Sequence, residues 1–201
     1  MHLKRMYVAG KIIGQYALPK KDTGDINKKY EKAKDSLISY GPRLAGRLNS
    51  ELDLMPIIAN TKAFKSITNC MDEYINEVIK VGLLVPGPKH LEIIGCWVND
   101  MIMGEYNPPH THHDGNGFST VLFLKIPKFI NDAKDPHKFK DGLLTFIHGN
   151  GAIQDLTPTV GDFYIFQADH MHCVNPFKTK NPNDIRRSMS FNFIIKEKTN
   201  D

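Results

Sequence analysis

With 201 residues, 41% of them hydrophobic, the chain is long enough for one sizeable domain and apolar enough to bury a core, which excludes a disordered polypeptide. Its 26 basic and 22 acidic residues leave a formal charge of +4, and the lysines are spread along the chain rather than clustered, which argues against a nucleic-acid-binding face. The three cysteines, at 70, 96 and 173, form no CxxC and exclude both a disulfide framework and a structural zinc knuckle.

The first twenty residues carry charges but no apolar core followed by a cleavage site, so no signal peptide is expected. No later run approaches the roughly 18 apolar residues of a membrane span. The expectation is a protein of the cytoplasm, with no membrane partner. Residues 1–50 are polar, and the stretch 20–34 reads as a loop or an exposed helix start. Residues 60–82 read as a helix, because Ile67, Met71, Tyr74, Ile75, Val78 and Ile79 recur at spacings of three and four, with Gly82 as the stop. The prolines and glycine of 85–89 mark a boundary. Short β-like runs follow at 91–98, 101–106, 119–126, 142–148, 162–166 and 187–195, separated by Asn-, Gly- and Pro-rich turns. Many short strands with such punctuation predict a mainly β fold of the jelly-roll kind, with flanking N-terminal helices against one sheet face. The expected organisation is a single domain, 1–201, with a helical and loop support region over 1–90 and a β core over 91–196.

The chemically dense stretch is 107–115, where His110, His112 and Asp114 alternate. In an extended chain all three leave the same side, so either His112 with Asp114 or His110 with His112 can share one metal. A third ligand must come from 166–176, which offers His170 and His172. Two histidines and a carboxylate on one face of an iron leave positions open for a bidentate cosubstrate and O₂. The segment 186–193 also alternates. Arg186, Ser188, Ser190 and Asn192 share one face, and Arg187, Met189, Phe191 and Phe193 the other. A plain strand with one wet face would show this pattern. If the polar face instead points at the metal, Arg186 forks onto a distal carboxylate and Ser188 adds a hydroxyl.

The ordered set HxD…H…RxS resembles the signature of 2-oxoglutarate and Fe(II)-dependent dioxygenases. A subgroup from phages and marine bacteria is more similar still. The residues carrying that likeness include Trp97, Asn99, Gly104, Tyr106, Asn107, His110 and His112, then Pro158, Gly161, Asp162, His172, Val174 and Pro176, and finally Arg186, Ser188, Ser190, Phe191 and Asn192. The likeness spans residues 91–195. Phe123 stands where the family often has Tyr, Gln167 where Pro is usual, and many members of the subgroup show H-x-H with no carboxylate after it. The resemblance implies a double-stranded β-helix (a cupin-like jelly roll) that hydroxylates an unidentified substrate with release of succinate and CO₂. It implies Fe(II) held by His112, Asp114 and His172, with His110 as the alternative to Asp114, and His170 aligned with an apolar position. It implies 2-oxoglutarate held by Arg186 and Ser188 with contacts from Asn99 and Tyr106, O₂ as cosubstrate, and no catalytic residue beyond the metal ligands. The substrate would be a small molecule or a peptidyl side chain, the chain could form homo-oligomers, and a phage-encoded protein would work in the host cytoplasm. The rival readings are a cupin-like metalloenzyme that does not use 2-oxoglutarate and a non-catalytic binding module.

Overall fold

In the computed structural model, which describes residues 3–8, 11–87, 89–112, 115–130 and 140–197, the strands form two antiparallel sheets. The larger runs in the order β1 (Arg5–Val8), β2 (Ile12–Ala17), β9 (Asp162–Gln167), β6 (Phe118–Lys125), β11 (Arg186–Glu197), β4 (Lys89–Met101) and β3 (Ser50–Asp53). The smaller runs β5 (Asn107–His110), β10 (His172–Val174), β7 (Leu144–Ile147) and β8 (Ile153–Leu156). Apart from the β1–β2 and β7–β8 hairpins, neighbours in the sheets are distant in sequence, as in a double-stranded β-helix.

Side-chain alternation divides the core in two. From the larger sheet, Leu122 and Leu124 of β6, Phe163 and Ile165 of β9, and Met189, Phe191 and Phe193 of β11 point outward to the helices. The alternate residues Val121, Phe123, Tyr164 and Phe166 point inward and meet Leu144, Phe146, Leu156 and Val174 of the smaller sheet. Three helices cover the outer face: α1 (Lys20–Ala33), α2 (Met55–Ile58) and α3 (Phe64–Lys80). Helix α3 buries Ile67, Met71, Tyr74, Ile75 and Val78 of the expected stripe and Cys70 beside them, leaves Ile79 half-buried, and Tyr74 Oη donates to the Ile12 carbonyl at 2.9 Å.

The structure differs from expectation in four places. Residues 20–33 form a regular helix, which buries Ile26 and Tyr30. The region before residue 90 supplies three strands as well as helices, and a division at that point cuts through the larger sheet. Strand β4 is continuous over 13 residues, and 101–106 is a turn in which Gly104 takes φ 85°, a left-handed conformation that glycine accommodates without strain. Strand β8, largely exposed, lies in a stretch with no sequence signal for it. No helix among the described residues is long and apolar enough to cross a membrane.

Candidate metal and cosubstrate site

The inner face of the larger sheet carries a polar band. β4 and β11 pair so that Asn99 faces Ser188 and Trp97 faces Ser190, and β3 adds Glu51 opposite Asn99. Across the interior, β5 and β10 place His110 opposite His172. His112 lies just beyond the end of β5, tied down by its backbone N–H donating to the Ala168 carbonyl at 2.8 Å. The three imidazoles converge, each offering one ring nitrogen, and these nitrogens lie within 4.8 Å of one another.

The hydrogen bonds define which nitrogens are offered. His110 Nδ1–H donates to the Pro108 carbonyl at 2.7 Å, and His172 Nδ1–H donates to the His170 carbonyl at 2.9 Å. A carbonyl can only accept, so both rings carry their proton on Nδ1 and present the Nε2 lone pair. His172 Nε2 is 3.1 Å from His112 Nε2, and such a pair needs a proton or a cation between it. Burial lowers the pKa of all three: His112 to about 3, with His110 adding repulsion, His172 well below the usual histidine range, and His110 in the same direction. Neutral, buried imidazoles with a backbone-fixed tautomer are what a metal requires. Asp114 lies outside the described residues.

His110, His112 and His172 line a narrow cavity together with Asn99, Asn107, Ser188, Ser190, Trp97, Val121 and Leu144. Its open volume is about 20 Å³, room for one water, so a larger guest enters only as lining side chains part. Two residues along β11 from Ser188, and so roughly 7 Å deeper on the same face, lies Arg186. It is fully buried. Its Nε–H donates to the Gly142 carbonyl at 3.2 Å, its guanidinium lies 5.0 Å from the centre of the Phe123 ring, and its Nη2 has no partner among the described residues.

The adjacent arginine shows the contrast. Arg187, on the outer face, makes a bidentate pair with Asp100 (2.6 and 2.7 Å), bonds to Glu31 at 2.7 Å and to Asn27 at 3.1 Å, and lies 4.4 Å over the Tyr30 ring. Those carboxylates raise the Arg187 pKa despite its burial, whereas burial alone pushes Arg186 down to about 9. An unpaired buried cation is expensive, and no carboxylate pairs with Arg186 among the described residues. Asn99 Oδ1 and Asn107 Oδ1, both buried, also lack partners among the described residues.

Of the residues singled out in the sequence, His110, His112, His172, Asn99 and Ser188 therefore line one cavity, with Arg186 behind it. Tyr106 stands apart: it is 42% exposed, lines neither the narrow cavity nor the cleft beside it, and its carbonyl accepts from the Arg47 N–H. Its neighbour Asn107 faces the cavity instead, a placement decided by the start of β5 at that residue. His170 is buried outside the cluster, with its ring 5.0 Å from that of His148, and it serves the site through its carbonyl. Sequence reasoning missed a second, open cleft of about 360 Å³, which meets the narrow cavity at Leu44, His110 and His112.

Residues 95–192 match the family model described as "Putative 2OG-Fe(II) oxygenase". No curated protein matches the sequence. Among solved structures, the fold is similar to a prolyl-4-hydroxylase of Pseudomonas putida (17% identity, 93% of each chain covered, TM-score 0.57). It is similar to a Trichoplax adhaerens prolyl hydroxylase in complex with a hypoxia inducible factor peptide fragment (14% identity, 90% of this chain and 83% of that one, TM-score 0.61). It is also similar to the viral collagen prolyl hydroxylase of Paramecium Bursaria Chlorella virus-1 (14% identity, 90% and 94% covered, TM-score 0.60). At these identities the structural likeness establishes the double-stranded β-helix alone.

Proposed function

Since the chain belongs to the 2-oxoglutarate/Fe(II)-dependent oxygenases by its residues 95–192, we propose that His110, His112 and His172 hold its Fe(II) and that Arg186, Ser188 and Asn99 receive its 2-oxoglutarate. The observation that carries this is the pairing of three convergent neutral imidazoles with a buried guanidinium that no anion satisfies among the described residues. A cupin-like enzyme without 2-oxoglutarate would have no use for that guanidinium.

When bound, iron and 2-oxoglutarate supply, with O₂, the oxidative decarboxylation to succinate and CO₂ that drives hydroxylation. The chain positions and shields. The Pro108 and His170 carbonyls hold the His110 and His172 rings with their lone pairs turned inward. Arg186 would receive the distal carboxylate of 2-oxoglutarate, and the Ser188 hydroxyl and the Asn99 amide would supply its further polar contacts. Val121, Leu144, Val174 and Trp97 keep the cavity dry, which strengthens each of these contacts.

Three of the structural neighbours are prolyl hydroxylases, two of them named for peptide or collagen substrates, so a peptidyl prolyl side chain is the first substrate to assay. The viral neighbour accords with a phage-encoded protein working in a host cytoplasm. Metal content of purified variants tests the ligand set. His172→Ala and His110→Ala should each retain under a tenth of wild-type Fe(II) after desalting, while Asp114→Ala and His170→Ala should retain it in full. Loss in Asp114→Ala with retention in His110→Ala would make Asp114 the third ligand.

A further inference from the structure

We propose that the open cleft beside the histidines is the site of the oxidised substrate, that Arg43 determines its specificity, and that the substrate carries a carboxylate. This rests on the His110–His112–His172 reading of the metal centre.

The two cavities have different characters and meet at one place. The narrow one runs between the histidines and Ser188 and Ser190 of β11. The open one leads outward, and Leu44, His110 and His112 belong to both. A molecule in the open cleft therefore lies directly against two of the metal-binding imidazoles. Its remaining walls are Tyr40, Arg43, Ala45, Thr111 and Asn192. Apart from the histidines, Arg43 is the only charged residue among them, and no carboxylate pairs with it among the described residues.

Arg43 is exposed, and its guanidinium lies against an aromatic stack. Its guanidinium lies 5.2 Å over the Tyr40 ring, and Tyr40 stacks on Trp97, with centroids 5.0 Å apart and planes 3° from parallel. Trp97 is buried in β4, so the stack is anchored in the larger sheet. The Tyr40 hydroxyl sits where a Cβ on residue 95 would be, and Gly95 leaves it that space. On the cleft lining contributed by β11, Asn192 Oδ1 is buried and has no partner among the described residues, so it is free to accept an N–H. A cation and an orphaned acceptor together fit a carboxylate and an amide or amine N–H, the groups of an acidic peptide segment or a free amino acid. Tyr40, Arg43, Leu44 and Ala45 all precede the family-matched segment, so this wall belongs to the N-terminal region of this chain.

Trp97 is the only tryptophan, and its fluorescence reports on the stack beneath Arg43. Zn(II)- and 2-oxoglutarate-loaded protein would be titrated with the capped peptide Ala-Pro-Glu-Ala, with its Gln and Lys counterparts, and with free L-proline and L-glutamate. The Glu peptide should bind about fivefold more tightly than the Gln peptide at low salt, the scale of one accessible ion pair. Arg43→Ala should erase that preference, and Arg43→Glu should transfer it to the Lys peptide, with circular dichroism unchanged in both. Tighter binding of the free amino acids, equally dependent on Arg43, would place the carboxylate on a free amino acid. Equal affinity for the Glu and Gln peptides, a preference that survives both variants, or no binding of any probe would overturn the proposal. Calorimetry of 2-oxoglutarate in the same samples separates the two readings: loss of cosubstrate binding with peptide discrimination intact sinks only the cosubstrate assignment.

Discussion

Arg186→Met should lower the affinity for 2-oxoglutarate by roughly 30-fold to a few thousand-fold, the 2–5 kcal/mol typical of truncating one partner of a buried charge pair. Fe(II) content should stay at the wild-type level, because Arg186 touches none of the imidazoles. Anaerobic titration of the Fe(II) protein with 2-oxoglutarate, followed by the visible absorbance of the chelate, measures both quantities. The unliganded variant should also melt higher than wild type. Methionine suits the apolar surroundings of Met101, Phe123 and Gly142 and removes a cation whose Nη2 has no partner among the described residues, against the loss of hydrogen bonds to the Gly142 carbonyl and the Met101 sulfur. Arg186→Lys keeps the charge without the fork and should fall between the two in affinity. Unchanged 2-oxoglutarate affinity in Arg186→Met would remove Arg186 from the cosubstrate site.

The same residue shows what could be read in advance. Strict alternation over 186–193 put Arg186 and Ser188 on one face and Met189 and Phe191 on the other, because a strand has a period of two wherever it pairs. Histidines at i and i+2 were legible for the same reason. The contact of His110 with His172 was not, since it depends on β5 and β10 lying side by side although sixty residues separate them. The N-terminal contribution was hidden for a different cause. Residues 39–47 have no regular period, and they reach the site only because β3 carries them to the edge of the larger sheet beside β4. Tyr106 and Asn107 show the limit of spacing arguments: one residue of register decides which of them faces the cavity.

Register also exposes Glu51, from which the remaining large effect follows. It pairs with Asn99 and sits on the same inner face, 4% exposed, beneath the loop that bears Tyr40 and Arg43. Its Oε1 has no partner among the described residues, and its carboxylate oxygens occupy the space that side chains on Gly41 and Gly46 would need. Burial, with the Glu105 carboxylate adding repulsion, raises its pKa from 4.5 to about 7. The Glu105 oxygens accept the Asn49 and Ile102 N–H groups. Between pH 4.5 and 7 the folded protein holds a proton at Glu51 that the unfolded chain releases, so stability falls as pH rises through that window and is level above it. The full effect is on the order of 3 kcal/mol. Glu51→Gln removes it: the variant should match wild type below pH 4.5 and exceed it at pH 8 by roughly 6–12 °C in melting temperature. Thermal melts of both proteins at pH 4.5, 6 and 8 decide the matter, and a gap that does not widen with pH would mean that Glu51 finds a partner for its charge.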